Sequence, residues 1–209
     1  ATLVTCDSYS DTITMIDTST WSVVKSLAVG DFPVRAVFSS DDSTLYVSLR
    51  DESKVKIVQA AGPGSQVTGT IQVGTWPFEM ALSPDDDTLF VLNYSDKNVG
   101  IVDLPATTMS TTIALPHSPG GMAMDGPGLH LYVPSGNWTL SAKGGYDLAF
   151  EKEGELSVIS TWQRRIVATA VTDEPPAMIA KGGPDGLFAI PCPVGDGLIL
   201  VRRELFFLK

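Results

Sequence analysis

The sequence predicts an all-β fold, a β-propeller of four-stranded antiparallel blades, with about five blades' worth of strands in this chain. Two markers carry the prediction: a proline before the first strand of each repeat and a leucine that opens the second strand. Both markers are spaced by 44, 42 and 56 residues. They are Pro33, Pro77, Pro119 and Pro175, and Leu45, Leu89, Leu131 and Leu187. The two markers are independent but have the same three spacings, including the longer one, so they indicate true repeats with one insertion. Repeats of about this length are typical of a propeller.

Each repeat follows the pattern of residues 76–103, in which short apolar runs alternate with polar turns. The runs at 78–82, 89–92 and 99–102 are each too short for a helix and lack its 3.6-residue period, so they favour strands. We name the four strands of a blade inner, second, third and outer, in chain order. Inner strands are expected at 34–39, 78–83, 120–125 and 176–181, second strands at 45–49, 89–93, 131–134 and 187–190, third strands from about 54, 98, 155 and 197, and outer strands from about 67, 110 and 165.

The two ends of the chain supply incomplete blades. Residues 2–29 begin with a second strand and have no proline-led inner strand, and the last repeat runs past Arg202 without a clear turn for an outer strand. Such blades leave unpaired strand edges, which natural sheets usually cover. We therefore expect a larger, seven-bladed propeller completed by another segment or a partner chain, with a compact five-bladed ring as the alternative.

Length and composition agree with one all-β domain over residues 1–209. Charged residues make up only 18% of the chain, and 19 Gly and 14 Pro suit many strands joined by tight turns. The net charge of −10 works against a nucleic-acid partner, because phosphate binding needs clustered Lys and Arg. No apolar run approaches the length of a membrane span. The absence of a leader before Ala1 fits a cytoplasmic protein or one whose leader has been removed.

The repeats resemble the YVTN β-propeller family. The matching segments are TITMID at 12–17, AVG at 28–30, VG at 73–74 before Pro77, and ALSPD at 81–85. The resemblance covers most of residues 2–133 and more loosely 155–202. It implies the propeller fold, whereas function stays open, since similar propellers include archaeal surface-layer proteins, periplasmic binding proteins and lactonase-like enzymes. An extracellular, periplasmic or cell-surface location is the expectation that follows, with the cytoplasm as the alternative.

Two further patterns bear on location. Asn93-Tyr94-Ser95 and Asn137-Trp138-Thr139 match the glycosylation acceptor at expected turn positions. Cys6 and Cys192 are either two strand thiols or a disulfide that ties the first repeat to the last.

The loops from each outer strand to the next inner strand are the expected site of ligand binding, because their turn residues repeat while their other residues vary. One position holds Asp31, Thr75, His117 and Asp173, and the next holds Phe32, Trp76, Ser118 and Glu174. The candidate ligand-binding residues of this funnel are Asp31, Phe32, Arg35, Trp76, Glu79, His117, Asp173 and Glu174. The alternative interpretation is that these polar loop residues are only exposed to solvent, and that Arg35 and Glu79 pair between neighbouring blades.

A loop insertion at 134–154 separates the second and third strands of its blade, on the side where the proline loops are expected. Trp138, Tyr146 and Phe150 are its candidate contacts, either for a ligand or for the blade edge. The acidic runs at 41–42 and 85–87 are expected to form turns and not calcium sites.

Two functions fit the sequence. One is a non-catalytic propeller that presents its loops to a protein, a glycan or a small ligand. The other is a lactonase-like hydrolase that uses carboxylates and His117 at the axial funnel to activate water. No cofactor is predicted, although a divalent cation in the funnel is compatible with the second function. Two histidines and no Cys-x-x-Cys argue against zinc or haem.

Overall fold

The computed structural model describes residues 1–60, 62–136 and 154–172, together with the backbone of strands 180–181, 187–191 and 198–202. These residues form nineteen β-strands and one short 3-10 helix, Gly62–Gly64. The strands are β1 Thr2–Asp7, β2 Thr12–Asp17, β3 Ser22–Ala28, β4 Pro33–Phe38, β5 Thr44–Leu49, β6 Lys54–Gln59, β7 Gln66–Gln72, β8 Pro77–Leu82, β9 Thr88–Asn93, β10 Asn98–Asp103, β11 Thr108–Ala114, β12 Ser118–Pro119, β13 Ala123–Met124, β14 His130–Gly136, β15 Gly154–Ser160, β16 Arg165–Thr172, β17 Ala180–Lys181, β18 Leu187–Pro191 and β19 Leu198–Arg202.

The strands form five antiparallel sheets, each in chain order. They are β1-β2-β3, β4-β5-β6-β7, β8-β9-β10-β11, a sheet of β14-β15-β16 with β12 and β13 on β14, and β17-β18-β19. This confirms the predicted order of inner, second, third and outer strands. In the part of the chain that the structure describes, the first sheet has no inner strand, as expected.

The chain forms two compact units, residues 1–112 and 113–209. In the first unit the core lies between neighbouring sheets, because the central strands are apolar on both faces. Successive side chains of a strand point to opposite faces. Accordingly Leu45 and Val47 of β5 pack with Ile13 of the first sheet, and Tyr46 between them packs with Leu89 of the third.

In the second unit, β14 is the buried centre of its sheet. Every residue of His130–Gly136 is buried. Tyr132 forms a core with Leu156 and Val158 of β15, and partly buried alanines of β13 and β16 pack against it.

The inner strands of the second, third and fourth sheets are irregular. Their pairing with the second strand shifts register between Pro33 and Arg35, and between Pro77 and Met80. In the fourth sheet the same place divides the predicted strand 120–125 into β12 and β13. Gly120 and Gly121 occupy the interruption, where glycine has no side chain to pack and weakens a strand.

The acidic runs form turns, as predicted. Asp41 accepts hydrogen bonds from the Ser39 hydroxyl (2.6 Å) and the Ser43 amide (3.0 Å). Asp85 accepts the equivalent bond from Ser83 in the next blade. These bonds close the turn between inner and second strands.

Three other expectations concern location. Asn93 is the last residue of β9 and is fully buried, so the expected turn position is wrong for the asparagine of this tripeptide. The Cys6 thiol is free and half-buried, and Cys192 and Asn137 lie outside the described residues. Among the residues that the structure describes, no helix is long and apolar enough to cross a membrane. The single-domain and ring-closure expectations stay predictions.

Candidate functional site

The turns between second and third strands and the connections from outer to inner strands lie at one end of the first unit, which we call the loop face. Two backbone hydrogen bonds join them. The amide of Arg50 donates to the carbonyl of Phe32 (3.1 Å), and that of Tyr94 to Trp76 (3.0 Å). Within residues 1–112, the predicted placement of connections and second-to-third turns on the same side is therefore confirmed.

Carboxylates of these turns hold the connections in place. Glu52 accepts the amide hydrogen of Asp31 (2.9 Å), and Asp96 accepts that of Thr75 at the matching position one blade later (2.7 Å). A hydrogen bond from Lys54, and then the bond from Asp31, lower the pKa of Glu52. A connection is not paired with a neighbouring strand, so these carboxylates accept the hydrogen bonds of its backbone amides instead.

The connection before the second blade is held from the first blade as well. The amide of Phe32 donates to the Asp11 carboxylate (3.1 Å). Phe32 therefore lies between two carboxylate-anchored turns.

Phe32 and Trp76 both have left-handed backbone conformations, with φ of 55° and 56°. Bulky residues rarely adopt this region, and it costs about 1–3 kcal/mol unless the surroundings impose it. Here the hydrogen bonds on both sides of each residue impose it. As a result the two rings are fixed at equivalent places on the loop face.

Five planar side chains form a continuous row across this face, which we call the planar row. Tyr9 meets Phe32 edge to face, with ring centroids 5.4 Å apart and planes at 74°. The Arg50 guanidinium carbon lies 3.5 Å from the Phe32 centroid and 5.5 Å from that of Trp76. Trp76 then stacks on Tyr94 at 6.2 Å. The row alternates between turns and connections, so each of the three blades of the first unit contributes to it.

Arg50 is held flat within the row. Its Nε and Nη2 donate to the two oxygens of Asp51 at 2.7 and 2.9 Å, and this pairing lowers the pKa of Asp51. A two-point Arg–carboxylate pair fixes the guanidinium plane, which suits stacking on rings. At the other end, Tyr9 is 96% exposed.

Arg35 and Glu79 form an ion pair between the inner strands of two neighbouring blades, with Nε and Oε2 3.0 Å apart. Burial raises the pKa of Glu79, while Arg35 acts against that rise. Because each neutralises the other, the pair fits the structural interpretation better than a role as acid or base. Burial likewise raises the pKa of the Cys6 thiol to about 11.

Of the other candidate residues, Asp31 and His117 lie within the described ranges. Asp31 is exposed, and its backbone amide is the group that Glu52 holds. His117 is half-buried in the connection before β12 of the second unit. Asp173, Glu174, Trp138, Tyr146 and Phe150 lie outside the described residues, as does the insertion between 136 and 154. Within the described ranges, no three His, Cys, Asp or Glu residues are grouped as metal ligands.

Sequence reasoning found Phe32 and Trp76 but missed Tyr9, Arg50 and Tyr94. Arg50 and Tyr94 both come directly after the second strand of their blade, 44 residues apart. That shared position is the signal that could have found them. Tyr9 comes one residue later in its turn than Arg50 and Tyr94 do in theirs, so an alignment of the repeats does not match it with them.

Comparison with known proteins supports the fold. No family model matches this sequence, and no curated protein matches it. The structure is similar to Kuenenia stuttgartiensis hydrazine synthase, with a TM-score of 0.77 and 21% identity over 90% of this chain. It is also similar to dihydro-heme d1 dehydrogenase NirN in complex with DHE, with a TM-score of 0.69 and 14% identity over 97% of this chain.

The five sheets are β-propeller blades. This chain spans about half of each neighbour, 51% of the hydrazine synthase chain and 43% of the NirN chain. At these identities the likeness shows the fold alone.

Proposed function

We propose that this protein is a non-catalytic β-propeller binding protein that holds its ligand on the loop face of residues 1–112. The planar row carries the proposal. Its rings stand on loops of a rigid scaffold, the arrangement in which binding residues are usually found. Phe32 and Trp76 have the same backbone conformation in successive connections, so the repeat presents the two rings at equivalent positions.

The charged groups favour binding over hydrolysis. A lactonase-like site needs a carboxylate or histidine able to accept a proton from water. Glu79 is instead held in an ion pair with Arg35 between two neighbouring blades. We therefore do not propose the lactonase-like activity, and the proposal requires no cofactor.

Membership of the YVTN-type propellers and a periplasmic, extracellular or cell-surface location are part of the same proposal. They rest on the repeat segments quoted above, TITMID and ALSPD among them. A protein, a glycan or a small molecule is the class of partner that such a face accepts.

Ligand screening by thermal shift tests the proposal, because a ligand that binds only the folded state raises Tm. Peptide, glycan and metabolite collections would be screened against the wild type, Tyr9→Ala and Tyr94→Ala. Trp21→Ala is the matched control, since Trp21 is 74% exposed but lies in the turn between third and outer strands, away from the row. We expect ligands whose shift is lost in the row variants and kept in the control. Ligands that shift all four proteins equally, or turnover of a lactone by the wild type, would overturn it.

A further inference from the structure

We infer that the ligand of the loop face is cationic, an arginine or lysine side chain of a partner protein, bound where Tyr9, Phe32 and Asp11 meet. The inference rests on the proposed binding function and adds the chemical class of the ligand. The Tyr9 and Phe32 rings lie 5.4 Å apart, and Asp11 accepts the Phe32 amide hydrogen at 3.1 Å.

The chain contains its own example of such an interaction one blade further along. The Arg50 guanidinium stacks on Phe32 at 3.5 Å, lies within 5.5 Å of Trp76 and is paired with Asp51. A cation over an aromatic face, closed by a carboxylate, is a stable combination. The loop face thus already accommodates a guanidinium between two of its connections.

At the first blade, the Tyr9 ring and the Asp11 carboxylate lie beside Phe32, and no arginine stands at the position of Arg50. In the repeat, Ser8 stands where Arg50 and Tyr94 stand, and its hydroxyl donates to the carbonyl of Pro33 (2.7 Å). Tyr9 follows it with a ring that is 96% exposed. A large exposed ring beside a second ring and a carboxylate is the composition of a cation site.

The charges of the loop face favour a cation over an anion. Its turns and connections carry five carboxylates and two cationic side chains, namely Asp11, Asp31, Asp51, Glu52 and Asp96 against Arg50 and Lys97. Arg50 is paired with Asp51, and Glu52 with Lys54 at the start of β6, so Asp11, Asp31 and Asp96 stand outside these ion pairs against Lys97. The whole chain has a net charge of −10, which attracts a basic partner at long range.

Isothermal titration with two peptides tests the inference. One peptide alternates arginine and glycine, and the other carries citrulline, the neutral analogue, in place of arginine. We expect the arginine peptide to bind at least about tenfold more tightly, because only it offers charge-assisted hydrogen bonds. Tyr9→Ala should weaken its binding by about two- to fivefold, the size of an exposed cation–π interaction, while Tyr9→Phe keeps it. Trp21→Ala should bind as the wild type does.

The outcomes separate this inference from the function on which it rests. Equal affinity for the two peptides, or no effect of Tyr9→Ala, would overturn the cationic ligand. If a neutral glycan binds instead and Tyr9→Ala abolishes that binding, the binding function stands and the cationic class is wrong. If no peptide, glycan or metabolite depends on Tyr9 or Tyr94, both fail.

Discussion

Gly74 shows how one residue fixes a connection of the loop face. A Cβ atom there would lie 2.5 Å from Oδ2 of Asp96, 2.6 Å from Cγ of Asn93 and 2.7 Å from its Nδ2. Asn93 is fully buried, and Asp96 is the anchor of Thr75, so neither side chain can move without breaking a contact. The connection therefore approaches its blade as closely as it does because residue 74 has no side chain.

We expect Gly74→Ala to lower the free energy of unfolding by about 1–3 kcal/mol, the usual cost of overpacking. Gly126→Ala is the matched control, since nothing lies within 4 Å of its added methyl group. Urea denaturation of both variants measures the difference. Equal midpoints for the two would show that Asn93 and Asp96 reorganise without cost.

At the scale of the element, β9 illustrates what holds neighbouring blades together. Leu89 to Asn93 are all buried, and Leu89 belongs to a core that includes residues of the preceding sheet. A strand buried on both faces must be apolar in consecutive positions, which is why its sequence shows a continuous apolar run.

Leu89→Ala should destabilise the protein by about 2–5 kcal/mol, because the removed atoms leave a cavity between two sheets. Leu3→Ala makes the same chemical change in β1, where the side chain is 44% exposed. We expect that control to lie within about 0.5 kcal/mol of the wild type. Chemical denaturation compares them, and a loss below about 0.5 kcal/mol for Leu89→Ala would mean that the blades close over the cavity.

The central strands were predictable from sequence because burial on both faces leaves a strong apolar signal. The inner strand of the fourth blade was predicted as one element, 120–125, but it is two short strands. Its apolar residues gave the right position. The break comes at the place where the inner strands of the second and third blades also shift register, and that irregularity leaves no mark in the apolar pattern.

The planar row was only half predictable for a similar reason. Phe32 and Trp76 occupy variable positions between repeated prolines, so alignment isolates them. Arg50 lies in a polar turn, where a single arginine is usually solvated. Its importance comes from the distances to two rings on different connections, which no single repeat contains.

At the scale of the whole molecule, turns at the same position of successive repeats have carboxylates in similar environments. Asp41 and Asp85 close the same turn in successive blades, and hydrogen bonds from serines lower the pKa of both. The fourth blade closes this turn differently, with buried Asp125 accepting from the amides of Leu129 and His130. Carboxylates therefore stabilise the turn between inner and second strands in the second, third and fourth blades.

The free energy of unfolding should therefore fall when acid protonates the turn carboxylates whose pKa is lowered in the folded state. The pKa of Asp41 is lowered from 3.8 to about 2 when folded, so its stabilisation is fully present above pH 3.8 and is lost as the pH falls towards 2. Asp17 and Asp85 shift in the same direction, and each adds to the loss over the range below the unfolded pKa. Loss of the net charge of −10 has the opposite effect on stability, because repulsion between like charges falls as the pH approaches the pI of about 4.5. Urea midpoints in about 0.5 M salt, where repulsion between exposed charges is screened, isolate the first effect.

We expect the urea midpoint of the wild type to fall as the pH is lowered from 3.8 to 2. The urea midpoint of Asp41→Asn should fall less steeply with decreasing pH, because the asparagine amide does not titrate. Asp42→Asn removes a charge from the same turn but none of the hydrogen bonds with Ser39 and Ser43, so it should keep the wild-type slope. Identical slopes for Asp41→Asn and the wild type would show that this turn does not contribute to acid sensitivity.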